Sequence, residues 1–378
     1  MNVEKKFNRT KISIIASVLL SVGFIIGILY FTVDPSTFDR LSTVNIHYEF
    51  FVAAMLFNIL FWVVWGARLM VISRSIDKNL NVGLWECIKI VIANLFLAGI
   101  TPSMAGGEPV RIHLLNKDGM SLGGATASVL GERLLDAIFI LVTVPFAFFI
   151  FKDKVDIRWL NIGLTIGIFA FIVGILIFIW IIKNPKRIKG FLIWIDGKIS
   201  KFSKKHKQDD KKSIVNKINR EVDNFHNSMV LFVTEGKKGL VLGSILTVLM
   251  WSMGFMIPSM ILLGLGLEPF FIESFAAQLL LLLIVMMPTT PGSSGVTELG
   301  MTGLYTVLIR ESLLLNGHPL LSYSSFDQTL FTLVGVFVLL FRFISYHMNL
   351  IAGAIFQYRI FKSVASFSMD TIKSKEKK

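Results

Sequence analysis

Two stretches of this chain, Ile12–Val33 and Trp159–Ile182, run for 22 and 24 residues without one charged side chain. A helix rises 1.5 Å per residue, so about 20 apolar residues cross the roughly 30 Å hydrocarbon core of a bilayer. Seven further apolar segments follow the same pattern: Phe50–Ser73, Leu84–Ile100, Gly124–Phe151, Gly239–Gly264, Ser274–Met287, Glu298–Leu315 and Phe326–Phe356. A β-barrel would show shorter segments of strict alternation instead. The chain therefore reads as an all-α polytopic membrane protein. Its composition agrees: 54% of the 378 residues are hydrophobic and 17% charged, against about 25% charged in soluble domains.

Lys5, Lys6, Arg9 and Lys11 precede the first run, as in a signal peptide. The run is longer than a signal's apolar region of about 7–15 residues and has no small-x-small site after it, so it reads as an uncleaved span. The single cysteine, Cys87, lies in an apolar segment and suits packing. No Cys/His cluster suggests a metal, and no cofactor is expected. The net charge of +13 does not point to nucleic acid, because the basic residues flank spans as membrane topology requires. They concentrate in Lys183–Lys238 and in the tail Arg359–Lys378, where anionic inner-leaflet lipid is the expected partner.

The positive-inside rule threads the chain. With both termini and Lys183–Lys238 on the cytoplasmic side, Ile12–Val33 runs outward and Phe50–Ser73 returns, with Arg68, Arg74 and Lys78 marking its inner end. Trp159–Ile182 runs inward, so Gly124–Phe151 runs outward. Leu84–Lys117 then begins and ends inside, and must break near Thr101–Gly107. By the same logic Glu273–Leu315 begins and ends outside, and must break at Pro288–Gly295. Irregular backbone at membrane depth needs cover from protein or a wet cavity.

The two breaks match: Thr101-Pro102-x-x-x-Gly106 against Thr290-Pro291-x-x-x-Gly295, with Glu108 and Glu298 following. The expected architecture is two inverted repeats, 50–151 and 239–356, each a span, a re-entrant hairpin and a span. Two extra spans, a basic insert at 183–238 and a basic tail at 359–378 complete one domain. In such folds the site lies near the midplane where broken helices meet.

Four polar groups stand out. In Gly106-Gly107-Glu108-Pro109-x-Arg111, Pro109 suits the first helical position and Glu108 its N-cap. Arg111 is placed either to pair with Glu108 or to hold an anion. Glu132-Arg133-x-x-Asp136 puts three charges inside a span, so they must face the protein interior or a wet cavity. A structural knot of ion pairs and a functional site are both open at that point. Gly292-Ser293-Ser294-Gly295 with Glu298 offers hydroxyls and backbone N–H groups, with Thr297 able to cap the next helix. In the basic insert, Ile188, Leu192, Ile195, Ile199 and Phe202, then Ile214, Ile218, Val222, Phe225, Met229 and Phe232, recur at helical spacing. These read as amphipathic helices on the inner leaflet. Asn58 and Gln278 read as inter-helix hydrogen-bonding groups.

The ordered set Pro102-x-x-x-Gly106-Gly107-Glu108-x-x-Arg111, Glu132-Arg133-x-x-Asp136 and Pro291-Gly292-x-x-Gly295-x-x-Glu298 resembles the transmembrane flippase domain of lysylphosphatidylglycerol synthases, the multiple peptide resistance factors. It is similar also to the stand-alone bacterial and archaeal membrane proteins built on that domain. The resemblance covers about Ile12 to Phe356. It implies a multi-pass plasma-membrane protein that moves a lipid between leaflets. The synthase domain that makes lysyl-lipid is not expected here, so other lipids, including polyprenyl-phosphate carriers, are the expected substrates. Ser293 and Ser294 stand where the family is expected to carry more glycine.

The leading expectation is a lipid flippase with a central cavity between the hairpins. Arg111 and Arg133 would hold a phosphate. Glu108, Glu132, Asp136 and Glu298 would position the arginines, bind a cationic head group or carry a proton, beside Gly106, Gly107, Ser293 and Ser294. Its partner is a membrane lipid, and a homodimer is allowed. Two rivals remain. One is a scaffold for a separate lipid-modifying enzyme, docked through the basic insert. The other is an intramembrane serine hydrolase, in which Ser294 needs a base such as His113, His318 or His347.

Overall fold

The computed structural model describes residues 46–101, 106–151, 183–202, 208–234, 236–285, 292–315 and 326–356, with isolated positions 169, 172–173, 176–177 and 180. The expected spans Ile12–Val33 and most of Trp159–Ile182, the tail Arg359–Lys378, and residues 102–105 and 286–291 at the two breaks lie outside them. Among the described residues all regular structure is helical. In chain order the helices are α1 (Tyr48–Ile76), α2 (Leu84–Ile100), α3 (Gly107–Lys117), α4 (Leu122–Phe151), α5 (Pro185–Phe202), α6 (Gln208–Thr234), α7 (Lys237–Gly264), α8 (Phe271–Val285), α9 (Val296–Leu315) and α10 (Phe326–Arg342). A π-helical turn, Phe343–His347, joins α10 to a last α-helical stretch, 348–356.

Four of these are long and apolar enough to cross a membrane: α1, α4, α7 and Leu330–Phe356. Their outward faces carry lipid-suited side chains such as Val52, Leu56, Val142, Phe146, Phe149, Val241, Ile245 and Ile355. The other apolar helices fall short. At 17 and 15 residues, α2 and α8 are below the length of about 20 that a span needs. α3 turns back along α2, so that a Cβ on Gly107 would meet Ala98 at 3.3 Å. α8 and α9 likewise pack against each other.

Two large apolar cores, with a small third at Phe96, Ile100, Tyr346 and Leu350, hold the described helices together. One gathers α8, α9 and α10 with the second half of α4 and the end of α7, around Leu280, Tyr305, Leu308 and Phe337. The other gathers α1, α2, α3 and the first half of α4, around Leu69, Ile72, Val91 and Leu115. Phe139 of α4 stacks on Trp251 of α7 at 6.4 Å where the two cores adjoin. Asn58 and Gln278 are buried and bond between helices, as their isolation in apolar runs implied. Asn58 donates to Ile344 O at 2.9 Å, and Gln278 to Tyr305 Oη at 3.1 Å.

The amphipathic insert differs from the expectation at α6. Val222, Met229 and Phe232 of its stripe are buried, with α6 laid along α4 and touching α1 and α7. Gly123 of α4 permits the approach, since a Cβ there would sit 2.5–2.6 Å from Glu221 O and Phe225 N. The Glu221 carboxylate accepts the Gly123 N–H at 2.9 Å, which places a negative charge at the N-terminus of α4. A helical stripe records only that one face must leave water. Here protein, rather than lipid, covers that face of α6. α5 meets the chain through Lys189, which pairs with Asp223 at 2.6 Å, and leaves Phe191 and Trp194 exposed.

Candidate functional site: a buried charge cluster and a second polar junction

Three arginines and three carboxylates meet where α1, α3, α4 and α7 converge. Arg68, from the last third of α1, is fully buried. Its Nε donates to Glu132 Oε1 at 3.0 Å, and its Nη1 to Asp136 Oδ1 at 2.5 Å and to Thr247 Oγ1 at 3.2 Å. Arg111 of α3, also fully buried, donates through Nη1 to the other oxygen of Glu132. Arg133 reaches back to Glu108, through Nε at 3.0 Å and also through Nη2, and lies 3.5 Å from Asp136. Trp251 Nε1 adds a hydrogen bond to Asp136 at 3.0 Å. The one-turn spacing of Glu132 and Asp136 points both carboxylates from α4 at α1, as their shared face required.

This geometry corrects three sequence expectations. Arg68 does not mark the cytoplasmic end of its span; it is the central cation of the cluster. Glu108 pairs with Arg133 rather than with Arg111, because α3 presents Arg111 to Glu132 instead. Glu108 is not the N-cap of α3 either: the helix begins two residues earlier, with Gly106 at the cap, whose N–H is held by Thr101 Oγ1 at 2.9 Å. Pro109 still fits, since the first-turn N–H groups of a helix have no intrahelical acceptor.

Arg111 is only partly satisfied. Its Nε and Nη2 have no hydrogen-bond partner among the described residues, and neither has Trp65 Nε1. Arg111 Cζ lies 5.3 Å from the centre of that same tryptophan ring. Asn94 Oδ1, against Gly107, is also buried without a partner. Arg111 therefore leaves one whole edge of its guanidinium without an acceptor among the described residues.

Glu298, Ser293 and Ser294 lie in a second junction. Glu298 reaches back from the first turn of α9 to accept the Gly295 N–H at 2.6 Å. This is the reciprocal half of a capping box, and it replaces the expected Thr297 cap; Thr297 Oγ1 donates to Ser293 O. Gly292, Ser293 and Gly295 all have positive φ, which explains the two glycines and leaves Ser293 in a sparsely populated conformation. Arg342 of α10 enters this turn. It pairs with Glu298 at 2.8 Å, donates to Ser294 Oγ at 2.9 Å and faces Gly292 O at 3.4 Å. The sequence reading missed Arg342 as it missed Arg68. Its signal was present, a lone arginine in mid-span, but the partner lies far away in sequence. Ser294 is thus bound by a guanidinium, and His113 is exposed on α3; His318 lies outside the described residues.

Of the ten expected site residues, the structure gathers Glu108, Arg111, Glu132, Arg133 and Asp136 at the first cluster, with Gly106 and Gly107 at its edge. It gathers Ser293, Ser294 and Glu298 at the second. Each junction contains the same pairing: a glutamate in the first turn of the helix after a break (Glu108, Glu298) with an arginine on the following long helix (Arg133, Arg342).

Comparison with known proteins agrees with the motifs. Residues 14–317 match the family model described as the lysylphosphatidylglycerol synthase TM region. A UPF0104 membrane protein of Archaeoglobus fulgidus is 29% identical over 92% of this chain and 97% of its own length. One from Methanocaldococcus jannaschii is 28% identical over 82% of this chain and 85% of its own. One from Pyrococcus horikoshii is 24% identical over 76% and 85%. No solved structure matches. On the extent of the family match, this membrane protein belongs to the family of the lysylphosphatidylglycerol synthase transmembrane region.

Proposed function

We propose that this protein moves a phosphate-bearing lipid between the leaflets of the plasma membrane, and that Arg111 grips the phosphate. The observation that carries this reading is the open edge of Arg111. Nε and Nη2 form one side of the guanidinium fork, the side that meets two oxygens of a phosphate in parallel. A buried donor left unmet costs about 1–3 kcal/mol, so the two unmet donors of Arg111 favour an acceptor between them. Glu132 neutralises one end of Arg111 and fixes its orientation without occupying the free edge. Arg133 suits a supporting role: it is half-exposed and already engaged by Glu108 and Asp136.

The repeated glutamate–arginine pairing supports an inverted-repeat architecture. In that architecture α2–α3 and α8–α9 are re-entrant hairpins entering from opposite faces, with the termini cytoplasmic. The family supports a lipid-related role. It does not name the lipid, and phospholipids and polyprenyl phosphates both present the chemistry that Arg111 accepts.

Native mass spectrometry of the protein extracted from its membrane tests the grip. A phosphate-bearing lipid should remain bound to the wild type. Its occupancy should fall about tenfold or more in Arg111→Lys, which keeps the charge and loses the two-pronged edge. Equal occupancy in both proteins would remove Arg111 from the site.

A further inference from the structure

The last span carries a feature that neither the charge cluster nor the family match explains. Between α10 and 348–356 the helix widens into the π-turn Phe343–His347. A π-turn holds one extra residue and weakens the local hydrogen-bond ladder, and such turns recur at functional sites. Side chains brace this one at three carbonyls, those of Arg342, Ile344 and Ser345. Arg342 O is met by His347 Nδ1 at 3.1 Å, Ile344 O accepts Asn58 Nδ2 at 2.9 Å, and Ser345 O accepts Asn349 Nδ2 at 2.5 Å. Asn349 is in turn fixed by Trp62 Nε1 at 2.8 Å and by Asn58 at 3.2 Å. Asn58 and Trp62 both come from α1, so a neighbouring span stabilises the widened form.

The turn also joins the two breaks. On one side of it Arg342 holds Glu298, Ser294 and Gly292 O of the second helix pair. On the other, Tyr346 Oη donates to Gly99 O in the last turn of α2, at 3.1 Å. Arg342 Cζ lies 4.2 Å over the Tyr346 ring, linking the two contacts. The backbones themselves touch: a Cβ on Gly292 would meet Gly99 O at 2.8 Å and the Tyr346 ring at 2.6 Å. The described side chains of this junction are buried, Ser293 and Glu298 fully so. The corresponding pair at the other cluster, Glu108 and Arg133, has side chains 31% and 42% exposed. One junction is closed while its counterpart is partly open.

We infer that Phe343–His347 is the hinge of a gate, and that Tyr346–Gly99 and Arg342–Glu298 are its closed contacts. Returning the π-turn to α-helix removes one residue from the turn. Each residue of an α-helix subtends about 100°, so Arg342 and Tyr346 cannot both keep their partners after the change. The two breaks then separate and Ser293 becomes accessible. Asn58 sets the balance, because its hydrogen bond to Ile344 O favours the π form. This inference rests on the translocation reading for its purpose, since a gate serves a path. Its test does not need lipid to move.

The test is thiol accessibility in vesicles. Cys87, the single cysteine, is replaced by alanine, and Ser293→Cys supplies the reporter for a water-soluble maleimide. Labelling should be slow in this parent. Asn58→Leu removes the hydrogen bonds to Ile344 O and Asn349, Tyr346→Phe removes the one to Gly99 O, and each should raise the labelling rate about two- to tenfold. Deletion of the exposed Phe343, which removes the extra residue, should raise it further. Tyr346→Phe removes a single oxygen, so it reads the gate even where the deletion fails to fold. Labelling at the parent rate in both Asn58→Leu and Tyr346→Phe would overturn the gate. Accelerated labelling in a protein that moves no lipid would retain the hinge and reject the transport reading.

Discussion

Arg68 lies in a run that reads, residue by residue, as plain span. A guanidinium at membrane depth must find acceptors within the protein, and Arg68 finds three, in Glu132, Asp136 and Thr247. Withdrawing it would leave Glu132 to Arg111 and Asp136 to the half-exposed Arg133, with too few donors for two buried carboxylates. Breaking a buried pair this way costs about 3–5 kcal/mol. Arg68→Leu should therefore lower the thermal unfolding midpoint sharply in detergent, and adding Asp136→Asn should recover part of the loss. A midpoint equal to wild type would show that the cluster contributes no stability. The acids of this cluster were legible from one motif, because Glu132, Arg133 and Asp136 share one helix. Arg68 and Arg342 were not. Arg68, near a span end, also fits snorkelling, and nothing local distinguishes that from a pair formed 64 residues away in sequence; Arg342 stands in mid-span, but its partner Glu298 lies 44 residues away.

At the scale of the elements, hydropathy located the helices well. α2 occupies the expected segment Leu84–Ile100, and α1, α4, α7 and α9 extend two or three residues beyond theirs. What covers an amphipathic face was less legible, because periodicity fixes the face and not its occupant. The docking of α6 on α4 turns on Glu221, outside the spans. Burial pushes its carboxyl upward, but hydrogen bonds from Gly123 N–H, Arg220 and Asn224 outweigh that and hold it below the usual carboxylate range. A depressed carboxylate contributes stability that is present above the unfolded-state value, about 4.3, and is lost as pH falls through the lower folded-state value. Amide exchange in 215–234, corrected for intrinsic rate, should accelerate below about pH 4. Glu221→Gln should show the faster exchange already at neutral pH. Acid-insensitive exchange in the wild type would mean that Gly123 and the apolar stripe hold α6 unaided.

For the molecule as a whole, the charge-derived threading demanded two breaks, and the structure places Gly99, in the last turn of the helix before one, directly against Gly292 of the other. The family match supports the membrane-lipid context. The pairing of each post-break glutamate with an arginine on the next long helix was not legible beforehand. It joins residues 25 and 44 positions apart in segments whose hydropathy is uninformative about partners. The central claim is that lipid crosses the bilayer with its phosphate on Arg111. The most direct measurement is the translocation rate of a head-group-labelled, phosphate-bearing lipid in liposomes holding purified protein. The account predicts a rate well above that of protein-free liposomes for the wild type, reduced about tenfold or more by Arg111→Lys. A wild-type rate equal to that of protein-free liposomes, tested with the lipid that co-purifies, would contradict it.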